Sequence, residues 1–165
     1  MTAQRALYNL YVDAMYSTCF RMMGNQHDAE DLLMESFTDA FRSIRQFQYK
    51  STFGAWLKRI VVNNCITTLK KKRLDIREMT DSITRIPDTV TDHRSNENEP
   101  SASQIKETIN QLPDGYRQIL SLYLLEGYDH VEISEVLGIS VGTSKSQYSR
   151  AKNKLRELLK SHIHG

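Results

Sequence analysis

Apolar residues recur every three or four positions through most of this chain, and the places where that rhythm fails divide it into parts. From Ala3 to Met22, Leu7, Leu10, Tyr11, Ala14, Met15 and Thr18 fall at helical intervals, and Gly24-Asn25 closes the helix. A second helix is expected from His27 or Asp28 to about Arg45, with Leu33, Phe37, Ala40 and Ile44 as its inward stripe. Gln46 to Ser51 interrupts the pattern. Thr52 is placed as the N-cap of a third helix that starts at Phe53 and continues to Arg73. On it Phe53, Trp56, Ile60, Asn63 and Thr67 share one side, and Leu57, Val61 and Cys65 another.

From about Leu74 to Ser103 the period is lost. Pro87, Pro100, many Ser, Thr, Asp and Asn residues and the acidic patch Asn96-Glu97-Asn98-Glu99 give this segment a linker composition. Helix resumes near Ala102 with Ile105, Ile109 and Leu112, and Pro113-Asp114-Gly115 breaks it. Asp114 is a candidate cap for a helix from Tyr116 to Glu126, whose Ile119, Leu120, Tyr123 and Leu124 turn inward, and Gly127 ends it. The predicted fold is all-α: two small helical domains, residues 1–74 and 103–165, joined by a flexible linker at 75–102.

The most informative stretch is Asp129 to about Lys160. It reads as a helix, a tight turn and a second helix. Ile133, Val136 and Leu137 face a core, Gly138 supplies the positive-φ residue of the turn, Ile139 plugs back between the helices and Ser140 caps the second one. That second helix carries a buried stripe of Tyr148, Ala151, Leu155 and Leu158. Another face presents Lys145, Ser149, Lys152 and Arg156, with Ser146 and Arg150 beside it. A helix showing Lys, Ser and Arg after a helix and Gly turn suits the DNA major groove, where cations meet phosphates and Arg or Lys donates to guanine edges. The plainer reading of the same face is a solvated amphipathic surface.

Composition changes the picture little. Apolar residues at 39% and charged residues at 25% describe an ordinary globular chain, and the net charge of +2 conceals charges that are segregated. No apolar run approaches a membrane span, and the N-terminus lacks a basic-then-apolar secretory pattern, so a cytoplasmic protein is expected. Cys19 and Cys65 make no disulfide framework and read as buried thiols. The five histidines show no metal-ligand spacing, and no phosphate loop or nucleophile elbow is present. No metal, cofactor or catalytic residue is expected.

Two charge clusters remain. Between Asp28 and Phe41 stand five carboxylates without a cation. The helix dipole accounts for Asp28, Glu30 and Asp31 but not for Glu35 and Asp39, which leaves a solvated face or a docking surface for a basic partner. From Lys50 to Arg77 stand eight Lys or Arg against one acid, Asp75, interleaved with aromatics. Single-stranded nucleic acid is held in that way, bases on rings and phosphates on cations. Trp56 reads as core, and the Lys70–Arg73 run as a phosphate contact.

Four blocks in this order resemble the bacterial extracytoplasmic-function (ECF) sigma factors of the sigma-70 family, two-domain initiation subunits of RNA polymerase. They are Asp28-Ala29-Glu30-Asp31-Leu32 through Phe41, Phe53-Gly54-Ala55-Trp56-Leu57 through Asn64, Leu112 to Arg117, and Val141 to Gln147. The resemblance covers nearly everything but the linker. It implies an N-terminal sigma-2-like three-helix domain and a C-terminal sigma-4-like four-helix domain. It further implies that Asp31, Glu35 and Phe37 dock on the β′ clamp helices of core RNA polymerase. Asn63, Phe47 and Lys58 would capture the opened −10 element, with Lys70, Lys71, Lys72 and Arg73 on its phosphates. Lys145, Ser146, Ser149 and Arg150 would read −35 duplex DNA, with helix N-terminal amides near Gly142 and Thr143 cradling a phosphate. The segments between Ile105 and Glu126 would meet the β flap. An anti-sigma factor, in this family commonly membrane-anchored, is the implied regulator, although the chain itself is not expected to span a membrane.

The chain departs from the family pattern at Ser144, where Val is usual, at Gln147, often Arg, and at Asp129-His130-Val131, often Tyr-Glu-Glu. The first departure implies looser local packing, the second an altered promoter choice. The acidic linker either mimics nucleic acid in the polymerase channels or serves as a plain tether. A polymerase-independent helix-turn-helix regulator would leave the acidic helix and the Trp56–Asn63 helix unexplained. An enzyme using Cys19 or Cys65 would lack a visible base.

Overall fold

The computed structural model describes residues 2–79 and 100–163, and every regular element among them is helical. Packing divides the chain into two units, residues 1–71 and 72–165. The linker patch Asn96–Glu99 and Pro87 lie outside the described residues.

The first unit is built on α1 (Ala3–Met23), α2 (Gln26–Arg42) and the start of α3 (Phe53–Met79). Gly24 ends α1 at φ 80, and its amide donates to the Phe20 carbonyl. Asn25 then caps α2, which starts one or two residues earlier than expected, its side chain accepting from the Asp28 amide at 2.9 Å. A short 3₁₀ turn, Ile44–Gln46, takes the place of the expected last turn of α2. The core is Met15, Cys19 and Met22 of α1, Leu32, Leu33 and Phe37 of α2, and Leu57, Val61 and Cys65 of α3. Leu10, expected inward, is 71% exposed, because the buried side of α1 shifts to its C-terminal half. Both cysteines are buried and free. A hydrogen bond from the Cys65 thiol pulls the Cys19 thiol below its ordinary pKa, and burial opposes that shift. Each is therefore the other's partner, a meeting that their separate helices concealed.

The second unit contains α4 (Ala102–Asn110), α5 (Asp114–Leu120), a π turn (Ser121–Leu125), α6 (His130–Leu137) and α7 (Val141–Ile163). Ser101 and Gln104 form a capping box that starts α4. Asp114 is not a cap. It is the first residue of α5, and its carboxylate accepts from the Arg117 guanidinium at 2.7 Å, while Arg117 also donates to the Leu112 carbonyl at 3.3 Å. Arg117 is buried, so this latch fixes the break between α4 and α5. Ile109, Leu112, Leu120, Ala151 and Leu155 form the core. Tyr123 and Leu124, expected inward, are 37% and 47% exposed. The π turn is the reason: the Glu126 amide bonds back to Ser121. That ring is one residue wider than an α turn, so it advances the helical phase and turns the two side chains outward.

Candidate nucleic-acid interface

In the first unit, the loop between α2 and α3 is an aromatic shelf. The Phe47 ring lies 4.6 Å from Tyr49, 5.3 Å from Trp56 and 5.9 Å from Phe53. Thr52 caps α3, accepting from the Ala55 amide at 3.2 Å. Trp56 is half-buried, a rim residue as much as a core one. Tyr49 is 86% exposed at φ 56. A left-handed backbone is uncommon in a residue other than Gly, and an open aromatic held there is a functional candidate. Sequence reasoning missed it because nothing in the local pattern signals a positive φ at a tyrosine.

Asn63 is exposed and lies on the side of α3 that begins at Trp56, about 10 Å further along the axis. Asn64, its neighbour, points elsewhere. Its amide donates to Ser36 Oγ at 3.2 Å and to Asp39 Oδ2 at 3.0 Å, tying α3 to α2. Lys58 is half-buried, Lys70, Lys71 and Lys72 are exposed and Arg73 is half-buried. The shelf, the outward amide and the run of cations thus share one helix and the loop before it.

The acidic face of α2 is smaller than its five carboxylates suggest. Asp28 is held by the cap residue Asn25 at 2.6 Å, Glu30 accepts from Gln26 at 2.7 Å, and Asp39 is taken by Asn64. Asp31, 3.5 Å from the His27 imidazole, and Glu35 remain exposed, with Met34 between them at 56% exposure. Phe37 does not belong to this face. It is 2% exposed, its ring 4.7 Å from Tyr8 and 5.9 Å from Phe41, so its place on the inward stripe decides its role.

In the second unit the helix-turn-helix is capped at each joint. Asp129 and Glu132 form a capping box on α6, Gly138 takes φ 65 at its end, and Ser140 Oγ accepts from the Thr143 amide at 3.0 Å. That last bond occupies the Thr143 amide, which is therefore not open to a phosphate as expected. Gly142 and Thr143 are otherwise exposed on the first turn of α7. Lys145, Ser146, Ser149 and Arg156 are exposed and Arg150 and Lys152 half-buried, while Ala151 and Leu155 are buried on the opposite side. Ser144 is fully buried against α6, and its Oγ lies 2.9 Å from His130 Nδ1. Lys152 Nζ sits 4.6 Å from the centre of the Tyr148 ring. Burial pushes the Tyr148 phenol pKa up, the nearby Tyr123 adds to that and Arg156 opposes it.

Among the described residues, no group of three or more His, Cys, Asp or Glu is placed to hold a metal, and no helix is long and apolar enough to cross a membrane.

Comparison with known proteins agrees with this geometry. Residues 7–74 match the family model for sigma-70 region 2, and residues 102–155 that for sigma-70 region 4. The ECF RNA polymerase sigma factor SigW of Bacillus subtilis (strain 168) is 34% identical over 163 residues, covering 93% of this chain and 87% of its own. The ECF RNA polymerase sigma-E factor of Haemophilus influenzae (strain ATCC 51907 / DSM 11121 / KW20 / Rd) is 33% identical, covering 82% and 78%. The sigma factor RpoE of Bartonella quintana, crystallised with the anti-sigma factor NepR, shares the fold at a TM-score of 0.53 and 24% identity, over 94% of this chain and 96% of its own. Both units fall inside matched regions, and a relative of 34% identity spans most of both chains: the chain belongs to the extracytoplasmic-function sigma factors, transcription initiation factors that direct RNA polymerase to specific promoters.

Proposed function

We propose a division of labour between the two units. The first, in the 1–74 domain, docks on the β′ clamp helices through Asp31, Glu35 and the exposed Met34, with Phe37 supporting that surface from beneath. It captures the opened −10 element with Asn63, Phe47 and Lys58, and Tyr49 joins the stacking surface. Lys70, Lys71 and Lys72 hold its phosphates; Arg73, expected among them, instead donates its guanidinium to the Glu135 and Val136 carbonyls at 3.3 Å. The second, in the 103–165 domain, meets the β flap through the region containing Tyr123 and Leu124 and reads −35 duplex with Lys145, Ser146, Ser149 and Arg150. Gly142 and Thr143 lie beside the backbone there. Residues 75–102 act as the tether between them. Neither unit needs strong DNA affinity of its own, because polymerase supplies a high effective concentration of each for its half of the promoter.

The observation that carries this reading is the pairing of two cationic faces of different chemistry, one opening from a cluster of aromatic rings and one presenting lysine, serine and arginine. Rings suit unstacked bases, and a Lys, Ser and Arg helix face suits the edges of paired ones. The chain works in the cytoplasm and performs no covalent step: the opened strand is held, not cut. Regulation by an anti-sigma factor, of the kind with which the Bartonella quintana protein was crystallised, belongs to the same reading. Run-off transcription with purified core polymerase and genomic promoter DNA tests it. Initiation at a discrete set of promoters is expected, and polymerase that starts at the same sites without the chain would refute it.

A further inference from the structure

Helices α6 and α7 are joined by more than apolar packing. At the first position of α6, the His130 ring makes three contacts at once. Its Nδ1 is 2.9 Å from Ser144 Oγ, its face stacks on Tyr123 at 4.8 Å between centres, and it meets the Tyr148 ring edge-on at 5.5 Å. Ser144 and Tyr148 stand one turn apart on α7, so a single side chain of α6 grips the reading helix at two levels. Tyr123 closes the cluster, 4.4 Å from Tyr148, with the rest of its ring open.

This contact is polar, on helices whose other buried residues, Ile133 and Val136 of α6 and Ala151 and Leu155 of α7, are apolar. Ser144 is fully buried, and a buried hydroxyl deprived of its partner is costly. Apolar surfaces accept small rotations with little change in energy, whereas a hydrogen bond weakens steeply with angle. At the roughly 5–6 Å radius of a helix with its side chains, a rotation of about 10° moves a donor by about 1 Å. That is enough to spoil bidentate contact with a base edge.

We propose that His130 is a positioning residue for promoter reading: through Ser144 and Tyr148 it sets the rotation of α7 about its axis, and so the −35 base preference of Lys145, Ser146, Ser149 and Arg150. The proposal rests on α7 being the −35 reader.

The test uses holoenzyme reconstituted from core polymerase and the full chain. A −35 element is first selected by the wild type from a library randomised there. Discrimination is then measured as the ratio of affinities for that element and each of its single-base variants. This ratio does not depend on the fraction of protein that is folded, so a merely structural loss leaves it unmoved. His130→Phe keeps a ring in the stack but orphans the Ser144 hydroxyl, and Ser144→Ala orphans the imidazole nitrogen. Each is expected to lower discrimination by about tenfold. The double variant, with no hydrogen bond left to lose, is expected to stay within about twofold of the single variants; a return to wild-type discrimination would show that α7 needs no polar clasp. Unchanged ratios in both single variants, or a double variant equal to the sum of the two losses, would overturn the proposal. A wild type that selects no −35 element would instead remove base reading by α7, and the proposal with it.

Discussion

Helices α3 and α7 both turn cations outward, yet they are seated on opposite plans. Beneath α3 lie Leu57, Val61 and Cys65, all fully buried, and the polar tie of that helix is Asn64, off to the side against Ser36 and Asp39. Beneath α7, Ala151 and Leu155 are joined by a buried serine bonded to a histidine. Their outer faces differ too: α3 opens from a shelf of Phe47, Tyr49 and Trp56, whereas the outer face of α7 presents lysine, serine and arginine. A helix that accepts splayed bases can tolerate imprecise seating, because stacking is broad in angle. One that donates hydrogen bonds to paired bases cannot. Under the proposed assignment, the polar clasp stands beneath the helix whose base contacts depend on its rotation.

The strongest way to break this comparison is at the apolar seat. Leu57→Ala is expected to destabilise the first unit by about 2–5 kcal/mol in chemical denaturation, since a fully buried leucine leaves a cavity. A loss below 1 kcal/mol would mean that the seat of α3 relaxes freely. Next in size, Asn63→Ala is expected to cost about 1–3 kcal/mol in open-complex formation while sparing binding to −35 duplex. Equal losses in the two assays, with the fold intact, would end the assignment of strand capture to α3. Arg150→Ala should cost about 1–3 kcal/mol at one or two −35 positions. A loss uniform across sequences would mark it as a phosphate contact and blur the contrast between the helices. The smallest effect is expected at the docking face. Glu35→Lys should weaken binding to core polymerase by about 1 kcal/mol, more at low salt, because the site is exposed and screened. Affinity that does not move with this charge reversal would take Glu35 out of the interface.

The helix-turn-helix was legible because its signals are local: Gly138 at its turn, Ser140 three residues before the amide it caps, and a stripe of three-four-three spacing. The all-α architecture was legible for the same reason. What escaped was settled by tertiary contacts or by a change of helical period. Phe37 shows a docking helix and an inward stripe the same letter, and only its burial separates the two uses. Asp39 looked like surplus acid until Asn64 of another helix claimed it. Tyr123 turned outward because a π turn altered a phase that the sequence pattern takes as constant. Ser144, expected to loosen the packing, instead found a partner in His130, so two departures from the family pattern meet as one contact.

Asn63 and Asn64 are adjacent and chemically identical, yet one faces out and the other is bonded to α2. Substitution at 63 changes what the surface offers to a strand and leaves the scaffold whole, while substitution at 64 unfastens two helices and changes no outward group. Under the proposed role of Asn63, promoter preference can be altered at the first position without loosening the scaffold, and at the second only by loosening it. Two identical letters, side by side, carry separate physical constraints.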